Sequence, residues 1–488
     1  MEPNWLMQRA YLTPNKSALS FHDKKWTFAE LNTISLTIAR QLTTLNIERN
    51  ERIAIISPSS AELIHLIYAC MQLQLEMVLL NSRLSEQELN YQIEDAKVSV
   101  ILVADEYVDR IHDERVIYFS HVFEQHPTSI KIATEWNENT TVSIMYTSGT
   151  TGFPKGVRLT LGNHKMSALA SALNIGINPD DTWLCGVPIF HISGFSILMR
   201  SLLYGMEVRL YEKFDEKAAA LEIATGSVTK MSAVNVMLGR VLSYMEQENL
   251  MAHPRFSTIL AGGGPIPEQF LRRAQKLHMN VAQTYGMTET ASQTATLSIE
   301  EAFDKIGSSG KPLFFYQIKI DGATKPLEPG EICIKGPHVT PGYIGRFENQ
   351  STTIDGWLYT GDIGYLDEEG YLFVLDRRSD LIISGGENVY PAEIENVLLA
   401  HDAVAEAGVC GVSNEIWGQV PAAFVVTKYN VSKEELLEFC KKRLASYKLP
   451  KSIQFVQKLP RNGSNKLVRR NLVAFYNSNQ TNQQSLIK

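Results

Sequence analysis

The segment Tyr146–Gly156 has the composition of a phosphate-binding loop, because five small residues, Ser148–Gly152, precede Lys155. Hydroxyl and backbone N–H groups in such a loop can close around phosphate oxygens, and Lys155 adds positive charge. The segment is not a Walker A loop, since no Gly-Lys-Ser/Thr sequence follows at the required spacing. A mobile linker is the alternative for this composition. The run Ser143–Tyr146 predicts a strand leading into the loop, which favours phosphate binding.

Two further segments place glycines or ligand groups after predicted strands. Gly262–Gly264 lie between a predicted strand and a predicted helix, the position at which open α/β sheets bind ligands. A simple tight turn is the alternative there. Thr288 and Glu289 follow the predicted strand Val281–Thr284. This favours Thr288 as a phosphate donor and Glu289 as a Mg²⁺ ligand, because Mg²⁺ takes one or two carboxylates together with substrate phosphates.

A single histidine, His191, lies between Phe190 and Ile192 in an apolar run. On its own, such a residue is more typical of a core side chain than of a catalytic group. The chain contains neither His-Glu-x-x-His nor Gly-x-Ser-x-Gly, which excludes the zinc-hydrolase and α/β-hydrolase chemistries that depend on them.

These segments need a framework of strands. The first 300 residues supply one by alternating short β-rich runs with helical patterns, which predicts doubly wound α/β sheets covered by helices. Capping boxes at Thr27–Glu30 and Ser85–Glu88 predict two helix starts. Buried strands are predicted at Arg52–Ile56, Val98–Val103 and Thr258–Leu260.

After about residue 305 glycine and proline become frequent, with short β runs such as Glu331–Ile334 between them. This pattern predicts a β-rich subdomain with tight turns. From Pro391 onward, helices and strands alternate again in a small α+β unit. We predict a boundary within Asp376–Asp380, so that a large α/β domain spans residues 1–378 and a small C-terminal domain spans 379–488.

Composition and charge exclude several classes of protein. The chain has 488 residues, 44% hydrophobic and 20% charged, as in ordinary globular proteins. The net charge of −7, from 46 Lys and Arg and 53 Asp and Glu, argues against general nucleic-acid binding. Residues 441–488 nevertheless hold 11 basic residues and no acidic one. This stretch indicates either a solvated basic face or a surface that meets a phosphate-rich small molecule.

The five cysteines are far apart and form no Cys-x-x-Cys pair, so we expect neither a disulfide framework nor a zinc site. The chain opens without a basic, apolar leader, and no apolar run approaches the roughly 20 residues that cross a bilayer. We therefore expect a cytoplasmic protein without a membrane span.

Six motifs occur in the order typical of the adenylate-forming acyl-CoA synthetases, and the chain resembles that family over essentially its whole length. The motifs are Ser148–Gly156, Tyr285–Glu289, Tyr359–Asp362, Arg377, Ser384–Asn388 and Pro460–Lys466. Within the family, the closest resemblance is to the 2-succinylbenzoate–CoA ligases of menaquinone biosynthesis. That resemblance rests on Gly162–His164, Ser171–Gly176, Phe190–Gly194, Thr290–Gln293 and Asp376–Gly386.

The resemblance implies two half-reactions in one site. A carboxylate attacks the α-phosphate of ATP to give an acyl-adenylate and pyrophosphate, and the thiol of coenzyme A then displaces AMP. Lys466 would bridge the carboxylate and the α-phosphate, and Mg²⁺ would bind at Glu289. Asp362 and Arg377 would hold the ribose, with Tyr285 stacked on the adenine. The implied ATP-binding residues are Thr147, Ser148, Gly149, Thr150, Thr151, Gly152, Lys155, Gly262, Gly263, Gly264, Tyr285, Gly286, Met287, Thr288, Asp362, Arg377 and Lys466.

The same resemblance implies a mobile small domain that rotates between the half-reactions. Gly385 and Gly386 would line the tunnel for coenzyme A, and Ser379 would be the hinge, where the family usually has Asp or Lys. The implied catalytic residues are Lys466, Thr288, Glu289 and His191. The implied acyl-substrate residues are His191, Ser193, Ser292 and Gln293, with Arg200 as a further candidate for a second carboxylate.

Alternatives to this function stay open at this stage. One is a CoA ligase for another aromatic acid, or a stand-alone adenylation enzyme that loads a carrier protein. Another is a nucleotide-binding sensor without catalysis. The residues that argue against the sensor are Glu289, Asp362, Arg377 and Lys466, since binding alone does not need the lysine of the chemical step. A homo-oligomer is common in the family.

Overall fold

The fold is described from a computed structural model over residues 1–47, 49–147, 153–264, 266–377, 380–384, 387–414, 417–444, 446–462 and 466–476. Across these ranges, none of the helices combines the length and the apolar character that crossing a membrane would take. All five cysteines are buried.

Helices alternate with strands through the first 280 residues, as the sequence predicts. Numbered in chain order, the helices are α1 (Trp5–Leu12), α2 (Phe28–Thr44), α3 (Ala61–Gln72), α4 (Glu86–Ala96), α5 (Phe119–Phe123), α6 (Leu161–Ile175), α7 (Ile192–Tyr204), α8 (Glu216–Thr225), α9 (Asn235–Gln247), α10 (Glu268–Lys276), α11 (Pro391–Leu399) and α12 (Lys433–Lys441). Residues 469–476 are also helical. Thr27 and Ser85 cap α2 and α4 through capping boxes, which confirms both predicted helix starts.

A seven-stranded sheet carries the segment predicted to bind phosphate. Its strands, also numbered in chain order, are β4 (Arg52–Ile56), β5 (Glu76–Leu80), β6 (Val100–Val103), β7 (Val116–Tyr118), β9 (Thr141–Thr147), β10 (Lys155–Thr160) and β20 (Gly342–Ile344). The spatial order is β20-β10-β9-β5-β4-β6-β7, parallel except for the pairs that β10 makes. Strand β6 begins two residues later than predicted, because the chain bends at Ser99, whose hydroxyl donates to Glu51.

A nine-stranded sheet carries the glycine-rich segments. Its strands are β2 (Ser17–Phe21), β3 (Lys24–Thr27), β11 (Thr182–Cys185), β12 (Glu207–Leu210), β13 (Lys230–Ala233), β14 (Thr258–Ala261), β15 (Val281–Tyr285), β16 (Ala295–Thr296) and β17 (Lys311–Pro312), while β1 (Glu2–Pro3) pairs with β8 (Glu135–Trp136). The pairs β13–β14 and β14–β15 are parallel, so the segments after β14 and β15 lie side by side. One buried core, including Tyr68 and Trp183, spans this sheet and the seven-stranded one.

An antiparallel sheet follows, which confirms the β-rich region predicted after residue 305. It contains β18 (Gln317–Asp321), β19 (Gly330–Lys335), β21 (Thr353–Ile354), β22 (Trp357–Leu366) and β23 (Leu372–Arg377). Its core includes Ile320 and Ile332, and Tyr285 from β15 packs into the same cluster. The end of β15 is therefore anchored to both sheets.

The C-terminal unit has its own sheet and its own cores. The strands are β24 (Ile382–Ser384), β25 (Glu387–Val389), β26 (Val404–Asn414), β27 (Gly418–Thr427) and β28 (Ser452–Phe455). Val409 and Val425 pack with α11 and α12 on one side, and Phe424 packs on the other. The predicted division into residues 1–378 and 379–488 falls between β23 and β24, and its position stays a prediction.

Candidate active site

The predicted phosphate loop connects two antiparallel strands of the seven-stranded sheet. Thr147 ends β9 and pairs with Lys155, which begins β10, so both residues lie at the same end of this hairpin. The ammonium of Lys155 lies 4.9 Å from the ring centroid of Tyr343 and 5.1 Å from that of Phe347. These cation–π contacts hold its charge beside β20. The loop residues Ser148, Gly149, Thr150, Thr151 and Gly152 lie outside the described residues.

The predicted cation ligand Glu289 lies in a 3-10 turn, Thr288–Thr290, which follows β15 after Gly286 and Met287. Glu289 is only 6% exposed. The Tyr343 hydroxyl donates a hydrogen bond to Oε1 of Glu289 at 3.4 Å. Burial, together with this carboxylate, raises the pKa of Tyr343, so the phenol stays protonated. Lys155, Tyr343 and Glu289 thus form one cluster of cation, phenol and carboxylate.

Sequence reasoning did not identify Tyr343 as part of the site. The local signal around it, Pro341-Gly342, indicates a turn and says nothing about a ligand. Only the pairing of β20 with β10 brings the ring to Lys155, and that pairing joins segments far apart in the chain.

Residues 286–293 form a tight turn with unusual backbone geometry. A Cβ at Gly286 would lie 1.6 Å from the carbonyl oxygen of Ser292, so this close approach requires glycine. Ala291 and Ser292 have φ values of +49° and +105°. Such conformations cost on the order of 1–3 kcal/mol and persist where neighbours impose them. One such neighbour is Ser167, whose hydroxyl donates to the Ala291 carbonyl at 2.6 Å. The turn with the predicted phosphate and cation ligands is therefore held in one conformation.

The predicted ribose and adenine residues meet where β15 approaches β22. The hydroxyl of Tyr285, the last residue of β15, donates to Oδ2 of Asp362 at 2.8 Å, and both residues are buried. Asp362 lies on β22 opposite Arg377, the last residue of β23. Because a carboxylate accepts several hydrogen bonds, the bond from Tyr285 is compatible with ribose binding at Asp362.

The three predicted glycines follow β14 directly. The Gly262 N–H donates to the Ala233 carbonyl at 3.1 Å. Gly263 and Gly264 have φ values of +85° and +156°, and a Cβ at Gly264 would meet nothing within 4 Å. The backbone at Gly264 is therefore open, beyond the carboxyl ends of parallel strands, where a flat ring can approach it.

Two predicted acyl-substrate residues lie at the start of α7. His191 is the residue that precedes the helix, and Ser193 lies in its first turn. The half-buried ring of His191 lies 4.5 Å from the ring of Phe190, at an interplanar angle of 60°. A Cβ at Gly194 would lie 2.4 Å from the Pro188 carbonyl oxygen, so the helix start packs tightly on the preceding loop.

Further along α7, a buried arginine meets the other predicted acyl-substrate segment. Nη2 of Arg200 donates to Oε1 of Gln293 at 2.9 Å, and Nε2 of Gln293 donates to the Thr296 hydroxyl at 2.8 Å. Burial lowers the pKa of Arg200, but an arginine still keeps its charge. Its Nε is buried without a hydrogen-bond partner among the described residues. A direct contact of Gln293 with a substrate would have to compete with these two hydrogen bonds. The neighbouring Ser292 is half-buried at the turn.

Lys466 lies in the C-terminal unit, where its backbone bonds to Asn462. Its N–H donates to Oδ1 of Asn462, and its carbonyl accepts from the Asn462 N–H, both at 2.9 Å. The Val468 N–H donates to the Pro460 carbonyl at 3.0 Å, and Arg461 forms a bridge with Leu467. These bonds fix the backbone of an exposed lysine. Ser379, Gly385 and Gly386 lie outside the described residues.

Two family models match the chain in sequence order. That of the AMP-binding enzymes matches residues 6–344, and that of the AMP-binding enzyme C-terminal domain matches residues 393–466. The first model alone covers more than half of the chain. The chain therefore belongs to the AMP-binding enzyme family, which confirms the predicted family and its α/β fold.

Two of the similar proteins are named for the same activity. A 2-succinylbenzoate–CoA ligase from Bacillus cereus is 48% identical, with 96% of this chain and 98% of the relative covered. The o-succinylbenzoate CoA synthetase of Bacillus subtilis, solved with the acyl-adenylate intermediate OSB-AMP, gives a TM-score of 0.90 at 46% identity, covering 96% of this chain and 98% of that one.

The same Bacillus subtilis protein has been solved with other ligands. Its complex with ATP and a magnesium ion gives a TM-score of 0.89 at 45% identity, with 96% and 99% of the two chains covered. A double mutant of it bound to the product analogue OSB-NCoA gives 0.74 at 46% identity, with 96% and 98% covered.

Proposed function

We propose that this chain is a 2-succinylbenzoate–CoA ligase of menaquinone biosynthesis, which uses ATP to form an acyl-adenylate and then a coenzyme A thioester. The observation that carries the proposal is a pair of contacts that join predicted site residues. Tyr285 donates to Asp362, and Tyr343, which sequence reasoning did not identify, contacts both Lys155 and Glu289. The 48% identity to a 2-succinylbenzoate–CoA ligase over nearly the full length supports the substrate.

The residues present fit a magnesium ion that is shared with substrate. Among the residues with a described structure, no group of three or more His, Cys, Asp or Glu is placed to hold a metal. Glu289 would contribute one buried carboxylate, and ATP phosphates and water would complete the shell, as is usual for Mg²⁺. The bound ion would neutralise charge on the phosphates of ATP.

In the first half-reaction, a carboxylate must approach the anionic α-phosphate. Cations and oriented donors offset the repulsion between the two anions. Lys155 supplies positive charge at the phosphate loop, and we predict that Lys466 bridges the carboxylate and the α-phosphate. Thr288 would donate to a phosphate oxygen. Removing a preorganised charge of this kind costs about 10²–10³ in rate, so Lys466→Met should abolish most pyrophosphate release.

In the second half-reaction, the thiol of coenzyme A must reach the acyl carbon of the adenylate. Lys466 would lie beside that carbon in the first half-reaction. We predict that the small domain rotates about Ser379 and that Gly385 and Gly386 then line the thiol tunnel. The basic residues of 441–488 would attract the phosphates of coenzyme A. A cytoplasmic location and a homo-oligomer stay predictions.

2-Succinylbenzoate has a second carboxylate, which needs hydrogen-bond donors in the acyl pocket. His191 and Ser193 supply donors at the start of α7, and Ser292 supplies one from the facing turn. Arg200 is a buried cation whose Nε still has donor capacity toward an anion. Gln293 would act through Arg200, to which it is bonded.

Pyrophosphate release tests this function directly. Purified protein with ATP and Mg²⁺ would be given a panel of aromatic and aliphatic carboxylates, with and without coenzyme A. We expect release with 2-succinylbenzoate and thioester formation when coenzyme A is added. Release with a different acid would keep the mechanism and discard the substrate, and no release with any acid would contradict the enzyme itself.

A further inference from the structure

Arg469 binds three carboxylates that come from different parts of the chain. It begins the helical stretch 469–476, three residues after Lys466. Its Nε and Nη2 donate to the two carboxylate oxygens of Glu395 on α11, at 3.0 and 2.7 Å. Its Nη1 donates to Asp376 Oδ1 and to Asp380 Oδ2, both at 3.0 Å. One guanidinium therefore makes four charge-assisted hydrogen bonds, the strongest kind available between side chains.

These acids lie on both sides of the predicted domain boundary. Asp376 belongs to β23 in the β-rich sheet, whereas Glu395 lies in the C-terminal unit and also accepts from the Val409 N–H at 2.8 Å. The other oxygen of Asp376 accepts from the Ala392 N–H, in the first turn of α11, at 2.9 Å. Asp376 therefore bonds two separate points of the C-terminal unit from outside it.

Because these side chains are buried, losing one of their bonds destabilises the contact more than losing an exposed ion pair would. The side chains of Arg469 and Asp376 are 18% and 3% exposed. Although burial lowers the pKa of Arg469, the carboxylates of Glu395, Asp376 and Asp380 outweigh that effect and raise it. Removing one partner of a buried pair is costly, because the other charge then stays buried without compensation.

The TM-score of this chain differs from one Bacillus subtilis structure to another. At the same 46% identity and the same coverage, the TM-score is 0.90 with the acyl-adenylate complex and 0.74 with the product-analogue complex of the double mutant. The structure that contains the Arg469 contacts is therefore more similar overall to the acyl-adenylate complex than to the product-analogue complex of the double mutant.

We propose that Arg469 is a positioning residue, which holds the small domain through Asp376 in the arrangement that forms the adenylate. The Arg469–Asp376 and Ala392–Asp376 bonds must then open before coenzyme A reacts, while the Arg469–Glu395 pair persists within the small domain. This inference rests on the proposed function, because it assigns the contact to the first of the two half-reactions.

Asp376→Asn tests the role of the bond across the boundary. The amide keeps the shape and one acceptor for the Ala392 N–H but loses the charge that attracts Arg469. The rate of the pyrophosphate burst, measured in single turnover with saturating ATP and 2-succinylbenzoate without coenzyme A, should fall at least tenfold. Thioester formation, started by adding coenzyme A to preformed enzyme-bound adenylate, should be unchanged or faster. The KM for ATP should be unchanged.

Glu395→Gln is the matched control, because it removes the same charge from the same guanidinium within the small domain. Its melting temperature should fall, and the ratio of its two half-reaction rates should stay as in the wild type. Arg469→Lys keeps the charge but lacks the planar guanidinium that pairs bidentately with Glu395 while Nη1 bonds Asp376 and Asp380, so it should shift that ratio in the same direction as Asp376→Asn. It also serves as the test if Asp376→Asn fails to fold.

The positioning role is wrong if a folded Asp376→Asn or Arg469→Lys protein changes both half-reactions by the same factor, or neither. It is also wrong if Glu395→Gln shifts the ratio as strongly. Absence of a pyrophosphate burst in the wild type would contradict the proposed function instead, so the two failures can be told apart.

Discussion

The side chain of Tyr343 contacts two charged groups of the site, Lys155 and Glu289. Its ring attracts the Lys155 ammonium at 4.9 Å, and its hydroxyl donates to Glu289 at 3.4 Å. The two interactions can be separated by mutation, because phenylalanine keeps the ring that contacts Lys155 and lacks the hydroxyl that donates to Glu289.

Tyr343→Phe should weaken the response of the enzyme to Mg²⁺. Loss of one hydrogen bond worth about 0.5–1.5 kcal/mol leaves Glu289 less well oriented, which corresponds to a roughly 2–10-fold rise in the Mg²⁺ concentration for half-maximal activity. A Mg²⁺ titration of pyrophosphate release measures this. Tyr359→Phe is the control, because its hydroxyl also lies 3.4 Å from a carboxylate oxygen, that of Asp321. Equal shifts in the two variants would contradict the role of Tyr343.

At the scale of elements, the turn 286–293 brings two backbone segments closer than side chains would allow. Gly286→Ala must push the Ser292 carbonyl away, because the new Cβ would lie 1.6 Å from its oxygen. We expect pyrophosphate release to fall at least 100-fold, since small displacements of catalytic groups have effects of this size. Circular dichroism should still report a folded protein.

Gly342→Ala is the matched control for this change. Gly342 begins β20, and a Cβ there would meet nothing within 4 Å. Its activity should stay within about twofold of the wild type, as is usual for a substitution without steric conflict. A Gly286→Ala protein with normal activity would show that the turn can relax without cost.

The elements could largely be predicted from the sequence, because their signals are local. The capping boxes of α2 and α4 and the apolar run of β4 each lie within a few residues. The contacts that complete the site could not be predicted. Arg200 and Gln293 are 93 residues apart, and Arg469 and Asp376 are also 93 apart. Their pairing depends on strand order and on packing between domains, for which no local pattern exists.

At the scale of the whole molecule, three buried histidines link stability to pH. Burial lowers the pKa of His65 to about 4 and the pKa values of His164 and His338 to about 3. In the unfolded chain these histidines take up protons below about pH 6.5, whereas in the folded protein they do so only at pH values near their lowered pKa values. The free energy of unfolding should therefore be highest above pH 6.5 and fall as the pH drops toward 4, by about 2 kcal/mol per histidine at pH 5.

His164→Gln tests this linkage, because glutamine can still bond the Ser143 hydroxyl that lies 2.9 Å from the imidazole. Its melting temperature should fall less between pH 7 and pH 5 than that of the wild type. The exposed His126 provides the control, and His126→Gln should follow the wild type. An unchanged pH dependence in His164→Gln would exclude this histidine as a source of acid sensitivity.

The five buried cysteines have a practical consequence for kinetics. Burial raises the pKa of each thiol, for example to about 12 for Cys185 and about 11 for Cys440. Thiolates are the species that attack chromogenic disulfide reagents, so the folded enzyme should react with them slowly. The coenzyme A that remains can therefore be measured in samples taken at intervals, by adding such a reagent to each sample, with little background from the folded protein. A rise in that background on heating would report unfolding.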